Sequence, residues 1–172
     1  MSRAFLKNET ADDPVVIPAR APLPPGTTNY VTPRGLALLR SELTDLEAQY
    51  ADAQTNATDE ADRTRLLAEL NGRIGALNGR IASARLVDPR QQPPHEVRFG
   101  ATVTLRSANG KTPDRTLTIV GVDEADATHG RIAFTAPIAR GMQGKRIGDT
   151  VTLRTTRGED AATITAITYL TD

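Results

Sequence analysis

The sequence predicts an α+β protein: an N-terminal antiparallel coiled-coil helical hairpin followed by a small antiparallel β domain. Three observations carry that reading. Of 11 prolines, five fall within Met1–Pro25 and none lies between Pro33 and Pro89, the gap a helical segment requires, since proline costs roughly 3 kcal/mol inside a helix. Within that gap apolar residues recur at spacings of three and four. From Glu96 onward the period changes to two.

Residues 1–30 read as a Pro-rich flexible tail, because Pro18-Ala-Arg-Ala-Pro22-Leu-Pro24-Pro25 has no repeating apolar face. Residues 31–88 form the hairpin. Thr32 caps the first helix and Pro33 suits its first turn. Leu36, Leu39, Leu43, Leu46, Tyr50 and Ala53 make one heptad seam, and Leu67, Leu70, Ile74, Leu77, Ile81 and Ala84 a second. The stretch Gln54-Thr-Asn-Ala-Thr-Asp59-Glu60 between them is polar and marks the tip. A dimerising coiled coil is the competing reading, but a polar tip between two matched seams favours an intramolecular hairpin. Thr58 is the expected cap of the second helix, with Asp59, Glu60 and Asp62 in a first turn where the helix dipole favours negative charge. Gly72, Gly75 and Gly79 weaken the second arm and suit a close approach of the helices.

Residues 89–95 are a linker and residues 96–172 the β domain. Strand patterns cover Val97–Leu105, Leu117–Val122, Arg131–Thr135, Thr150–Arg154 and Ala162–Tyr169, separated by Asn109-Gly110, His129-Gly130, Gly148-Asp149 and Arg157-Gly158. Pro137–Gly144 suits one short helix. Gly100 and Gly121 read as strand bends. His95 and His129 read as exposed loop residues.

Composition narrows the function. The chain has 172 residues with no Cys, which excludes disulfides, Cys–zinc sites, thiol nucleophiles and iron–sulfur clusters. With 21 basic and 21 acidic residues, the whole-chain charge points to no nucleic-acid partner. Acidic residues outnumber basic 9 to 7 over residues 31–88, and the order reverses, 9 to 11, over residues 89–172, so the negative excess sits on the hairpin. No apolar run approaches the ~20 residues of a membrane span, and the N-terminus lacks the apolar stretch of a signal peptide. A soluble, cytoplasmic monomer is expected.

At this point the chain resembles a family, the bacterial GreA/GreB-type transcript cleavage factors, from about Tyr30 to Leu170. Tyr30-Val-Thr-Pro-Arg-Gly35-Leu resembles the start of the family's first coil helix, and Gly79-Arg-Ile-Ala-Ser-Ala-Arg-Leu-Val-Asp88 the end of its second. Val97-Arg-Phe-Gly-Ala-Thr-Val103 resembles the opening strand of its C-terminal domain. Ile119-Val-Gly-Val-Asp-Glu-Ala-Asp126, Pro137-Ile-Ala-Arg140-Gly-Met-Gln-Gly-Lys145 and the closing Ile167-Thr-Tyr-Leu170 complete the match.

The resemblance implies a C-terminal domain similar to the FKBP fold and a partner, bacterial RNA polymerase. It implies that the β domain docks at the rim of the polymerase secondary channel, with Arg140, Lys145 and Arg146 as polymerase-binding residues, and that the hairpin enters the channel. There the tip acids Asp59, Glu60 and Asp62 would assist cleavage of backtracked nascent RNA, with Asp59 and Asp62 as ligands to a Mg²⁺ shared with the polymerase. The chain would bind no cofactor alone and would not be an enzyme itself. Two departures bear on this. The family's tip carries Asp, two intervening residues, then Glu-Asn, whereas here Asp59 and Asp62 keep a carboxylate pair without that Glu-Asn. The hairpin is also about a dozen residues shorter, roughly 9 Å of reach when split over two arms. A secondary-channel regulator or inhibitor that does not promote cleavage is therefore the alternative. A third reading, a protein-interaction module or prolyl isomerase, needs an aromatic-lined cleft, for which the β domain offers only Phe99, Phe134 and Tyr169.

Overall fold

The computed structural model describes residues 20–56 and 58–170. Two long helices form the hairpin, α1 (Pro33–Asn56) and α2 (Glu60–Ala82). At 1.5 Å per residue their 24 and 23 residues make a rod of about 35 Å. All twelve residues of the two predicted seams lie in its core or pack against it, with Leu39, Leu46, Ala53, Leu70 and Leu77 fully buried. Thr32 caps α1 as expected: its Oγ1 accepts from the Gly35 N–H at 2.9 Å and its carbonyl from the Leu36 N–H at 3.0 Å. The three glycines of α2 are not contact points. A Cβ at Gly72, Gly75 or Gly79 would meet nothing within 4 Å, so they weaken the helix without bringing its partner closer.

Two findings change the reading of the flanks. Of the expected tail, residues 1–19 lie outside the described residues, but Arg20–Tyr30 pack onto the base of the hairpin. Asn29 is buried there, and β1 (Tyr30–Val31) pairs in parallel with β2 (Arg85–Leu86) just after α2. The expected linker is likewise structured: Pro89–Gln91 form a 3-10 turn whose Pro89 is buried.

The β domain is a five-stranded sheet in the order β5-β4-β3-β7-β6. Its strands are β3 (Ala101–Ser107), β4 (Arg115–Val120), β5 (Arg131–Ala133), β6 (Thr150–Thr155) and β7 (Gly158–Tyr169). Every second residue of β3, from Ala101 to Ser107, is buried, the period-two alternation the sequence shows. A six-residue helix, α3 (Pro137–Met142), covers the inner face with Ala139 and Met142. The core joins these to Val97, Val103, Leu105, Leu117, Ile119, Val151, Leu153, Ala162 and Ile164.

The sheet is antiparallel except at one pair. β5 lies parallel to β4, because two 3-10 turns, Val122–Glu124 and Ala127–His129, carry the chain back to the starting end of the sheet before Gly130 turns into β5. The first strand is also shorter than its pattern. Residues 97–100 form a turn closed by the Ala101 N–H on the Arg98 carbonyl, with Gly100 at φ 87°. Gly121 is not a strand bend. Its φ is −66°, ordinary for any residue, and its role is space: a Cβ there would stand 2.7 Å from the Tyr30 carbonyl oxygen.

Candidate functional site

Two regions hold the residues singled out in the sequence, the hairpin tip and the face of the β domain around α3. At the tip the cap of α2 is Asp59, one residue later than predicted. Asp59 has extended backbone, and its Oδ1 accepts from the Ala61 and Asp62 N–H groups at 2.7 and 3.2 Å. A carboxylate serves there because it satisfies free N–H groups and opposes the positive end of the helix dipole. One oxygen of the proposed metal-binding pair is thus committed to the backbone. Glu60 and Asp62 follow in the exposed first turn. Asp62 pairs loosely with Arg65 at 3.5 Å, both side chains well exposed, and such a contact is worth at most a few tenths of a kcal/mol. Among the described residues no three acidic or histidine side chains converge to hold a metal ion. The tip therefore presents its carboxylates without assembling a metal site among the described residues. It does not fit a self-sufficient Mg²⁺ site, which takes near-octahedral oxygen ligation.

The three basic residues lie along and just after α3 and line different features. Arg140, exposed on α3, lines a cleft of about 540 Å³ with Pro24, Thr27, Tyr30, Phe99, Phe134 and Gln143. Lys145, half-buried, lines a different groove of about 840 Å³ between α3 and the edge strand β6, beside Arg115, Arg154 and Glu159. Arg146 is exposed in the turn before β6, where its N–H donates to Asp149 Oδ2 at 2.8 Å.

The Arg140 cleft has an aromatic wall the sequence did not reveal. Tyr30, Phe99 and Phe134 stack mutually, with centroids 5.6–5.9 Å apart and two of the three contacts edge-to-face. Tyr30 lies about 70 residues from Phe99, so only the fold brings them together. Tyr169, counted with the phenylalanines as an aromatic of the β domain, is occupied elsewhere: its hydroxyl donates to the Glu96 carbonyl and accepts from the Arg98 N–H at 3.0 Å. Burial is the first cause that raises its pKa above the usual tyrosine value.

Sequence reasoning also missed the acidic pair that joins hairpin to β domain. Asp123 and Glu124 sit in the 3-10 turn after β4. Glu124, 7% exposed, accepts from the Thr32 hydroxyl at 2.5 Å and from Arg34 Nη1 at 3.0 Å. Gly35 makes room, since a Cβ there would lie 2.7 Å from Glu124 Oε2. Asp123 faces Arg80 of α2 at 3.4 Å. Both acids fall inside the Ile119–Asp126 motif, and Thr32, Arg34 and Gly35 inside the Tyr30–Leu36 motif, so the two motifs meet at the junction. His129 is exposed as expected and bonds Asp126 Oδ2 at 2.6 Å. Hydrogen bonds from Thr128 and then from His129 hold the Asp126 carboxyl down at about 2.

A rod of paired helices seated on a small curled sheet defines the class, and comparison with known proteins gives the family. Residues 92–169 match the family model of the GreA/GreB transcription elongation factor C-terminal domain. A transcription elongation factor GreB of Neisseria meningitidis is 32% identical over 158 residues, covering 84% of this chain and 96% of that protein. A GreA of Ralstonia nicotianae is 33% identical over 158 residues, covering 84% and 99%. The solved structure of a GreA/GreB factor from Nitrosomonas europaea overlays with a TM-score of 0.42 at 25% identity, covering 81% of this chain and 98% of that one. The chain belongs to the GreA/GreB family of transcription elongation factors. No helix among the described residues is long and apolar enough to cross a membrane.

Proposed function

We propose that this protein binds bacterial RNA polymerase through the α3 face of the β domain and inserts its hairpin into the secondary channel. The observation that carries the reading is the placement of Asp59, Glu60 and Asp62 at the far end of a rod about 35 Å long, with the β domain at the other end. A stiff hairpin can deliver carboxylates into a narrow passage that a globular domain cannot enter. There Glu60 and Asp62, and the second oxygen of Asp59, would add ligands to a Mg²⁺ at the polymerase active site. Such an ion activates water for phosphodiester hydrolysis. The catalytic centre would remain the polymerase's, and the protein would act as an accessory factor on nascent RNA, without a cofactor of its own.

A second reading has its own observation. Asp59 is engaged as a helix cap, and the tip lacks the family's Glu-Asn pair, which favours a channel occupant that alters elongation without promoting cleavage. One experiment separates the two: RNA cleavage in backtracked elongation complexes, with wild type and with Asp59→Asn/Glu60→Gln/Asp62→Asn. Cleavage by wild type that the variant loses supports carboxylate delivery. Slowed nucleotide addition by both, with no added cleavage, supports the occupant. Absence of any effect on a polymerase of the same source would overturn both.

A further inference from the structure

The segment Arg20–Tyr30 makes more contacts than an entry to a helix needs, and they bridge the two halves of the molecule. Arg20 sends Nη1 to Asp123 Oδ1 and Nη2 to Glu42 Oε2, both at 2.5 Å. One planar guanidinium thereby ties the turn after β4 to the middle of α1. Arg80, in the last turn of α2 and buried, reaches the other Asp123 oxygen at 3.4 Å and also donates to the Ala21 carbonyl. Asn29, 3% exposed, donates to the Arg80 carbonyl at 2.9 Å and to Ser83 Oγ at 3.1 Å. Its own carbonyl accepts from the Arg85 N–H at 2.7 Å. Between these anchors the chain turns at Pro24–Thr27, where Gly26 takes φ 74°.

We propose that this segment is a strap that fixes the angle of the hairpin on the β domain. Without it, the polar joints among the described residues are the grip of Glu124 on the start of α1 and the Arg80–Asp123 pair on α2. Those lie close together at the base of a long lever. Rotation by 10° about that base would move the tip roughly 6 Å, over a rod of about 35 Å. The strap adds a third anchor at Glu42, further along α1, which resists such rotation. A guanidinium suits the task because it holds two carboxylates at once in fixed directions, which a lysine ammonium does not do. The same segment contributes Pro24, Thr27 and Tyr30 to the wall of the Arg140 cleft, so it lies between the proposed docking face and the rod.

The absence of cysteine allows a clean test on the protein alone, independent of any polymerase. Spin labels at Gln54→Cys near the tip and Thr152→Cys on β6, both exposed, report the distance between rod and sheet. The strap predicts a single narrow distance distribution in the full chain. It predicts a broadened or displaced one in Arg20→Ala, an intermediate one in Arg20→Lys, and the widest in Arg20→Ala/Asn29→Ala, with helical circular dichroism retained. Superimposable distributions for the full chain and Arg20→Ala would overturn the proposal. So would a lowered melting temperature with unchanged distances, since that is the behaviour of a merely local contact.

Discussion

Replacing Gly121 by alanine tests the close seating of the hairpin on the β domain. The backbone at Gly121, φ −66° and ψ 161°, suits alanine, so conformational entropy alone would favour the change by about 0.4–1 kcal/mol. Space opposes it. The new Cβ would stand 2.7 Å from the Tyr30 carbonyl oxygen, where a relaxed carbon–oxygen contact needs about 3.3 Å. The obstacle is backbone, in the β1 strand that pairs with β2, so it cannot swing aside as a side chain would. Overpacking of this kind costs about 1–3 kcal/mol, which leaves a net loss of about 1–2 kcal/mol and a melting temperature lower by about 5 °C for a chain of this length. Gly72→Ala is the control. It lies in the same molecule with nothing within 4 Å of its Cβ and should stabilise α2 by about 0.5–1 kcal/mol. Thermal unfolding followed by circular dichroism measures both. A Gly121→Ala protein as stable as wild type, or more stable, would refute the close contact between β1 and the turn after β4.

Further outcomes follow from the same contacts. Asp59→Ala removes the cap of α2 and should cost about 1 kcal/mol, while Asp59→Asn should keep most of that stability, as urea titration would show. Glu124→Ala strips Thr32 and Arg34 of their shared acceptor and should cost about 2 kcal/mol, read by the same titration. The Asp126 carboxyl is lowered from 3.8 to about 2 in the folded protein, so its contribution to stability is full above pH 3.8 and fades as pH falls through 2. The stability difference between wild type and Asp126→Asn should therefore shrink over that interval. A constant difference would show that the His129 and Thr128 bonds do not set it.

The hairpin was legible in the sequence because its information is local. Leu39, Leu46, Leu70 and Leu77 repeat on a fixed period, and Thr32-Pro33 announces a helix start by chemistry that operates within one turn. The β domain was legible strand by strand for the same reason. What escaped notice was long-range. Asp123 and Glu124 look like solvent-facing acids in a loop, and only the docking of α1 on Glu124, and of Arg20 and Arg80 on Asp123, covers them. Tyr30 looks like the end of a tail, yet it completes an aromatic cluster with Phe99 and Phe134. Arg20 lies in a proline-rich run with no periodicity, and its partners are 22 and 103 residues away. The parallel placement of β5 escaped because Gly130 signals a turn without stating which way the chain leaves it. At the tip the acids were visible, but two neighbouring capping candidates, Thr58 and Asp59, differ by one residue, and the helix dipole favours the carboxylate.

The proposed function has the rod enter the polymerase while the β domain remains at the rim. Site-specific photocrosslinking tests it most directly, with a benzophenone amino acid at Gln54 near the tip in one protein and at Arg140 on the β domain in another, each bound to elongation complexes. Gln54 is expected to crosslink to segments lining the interior of the secondary channel and Arg140 to its outer rim. Crosslinks from Gln54 confined to the outer surface, or none from either position, would contradict it.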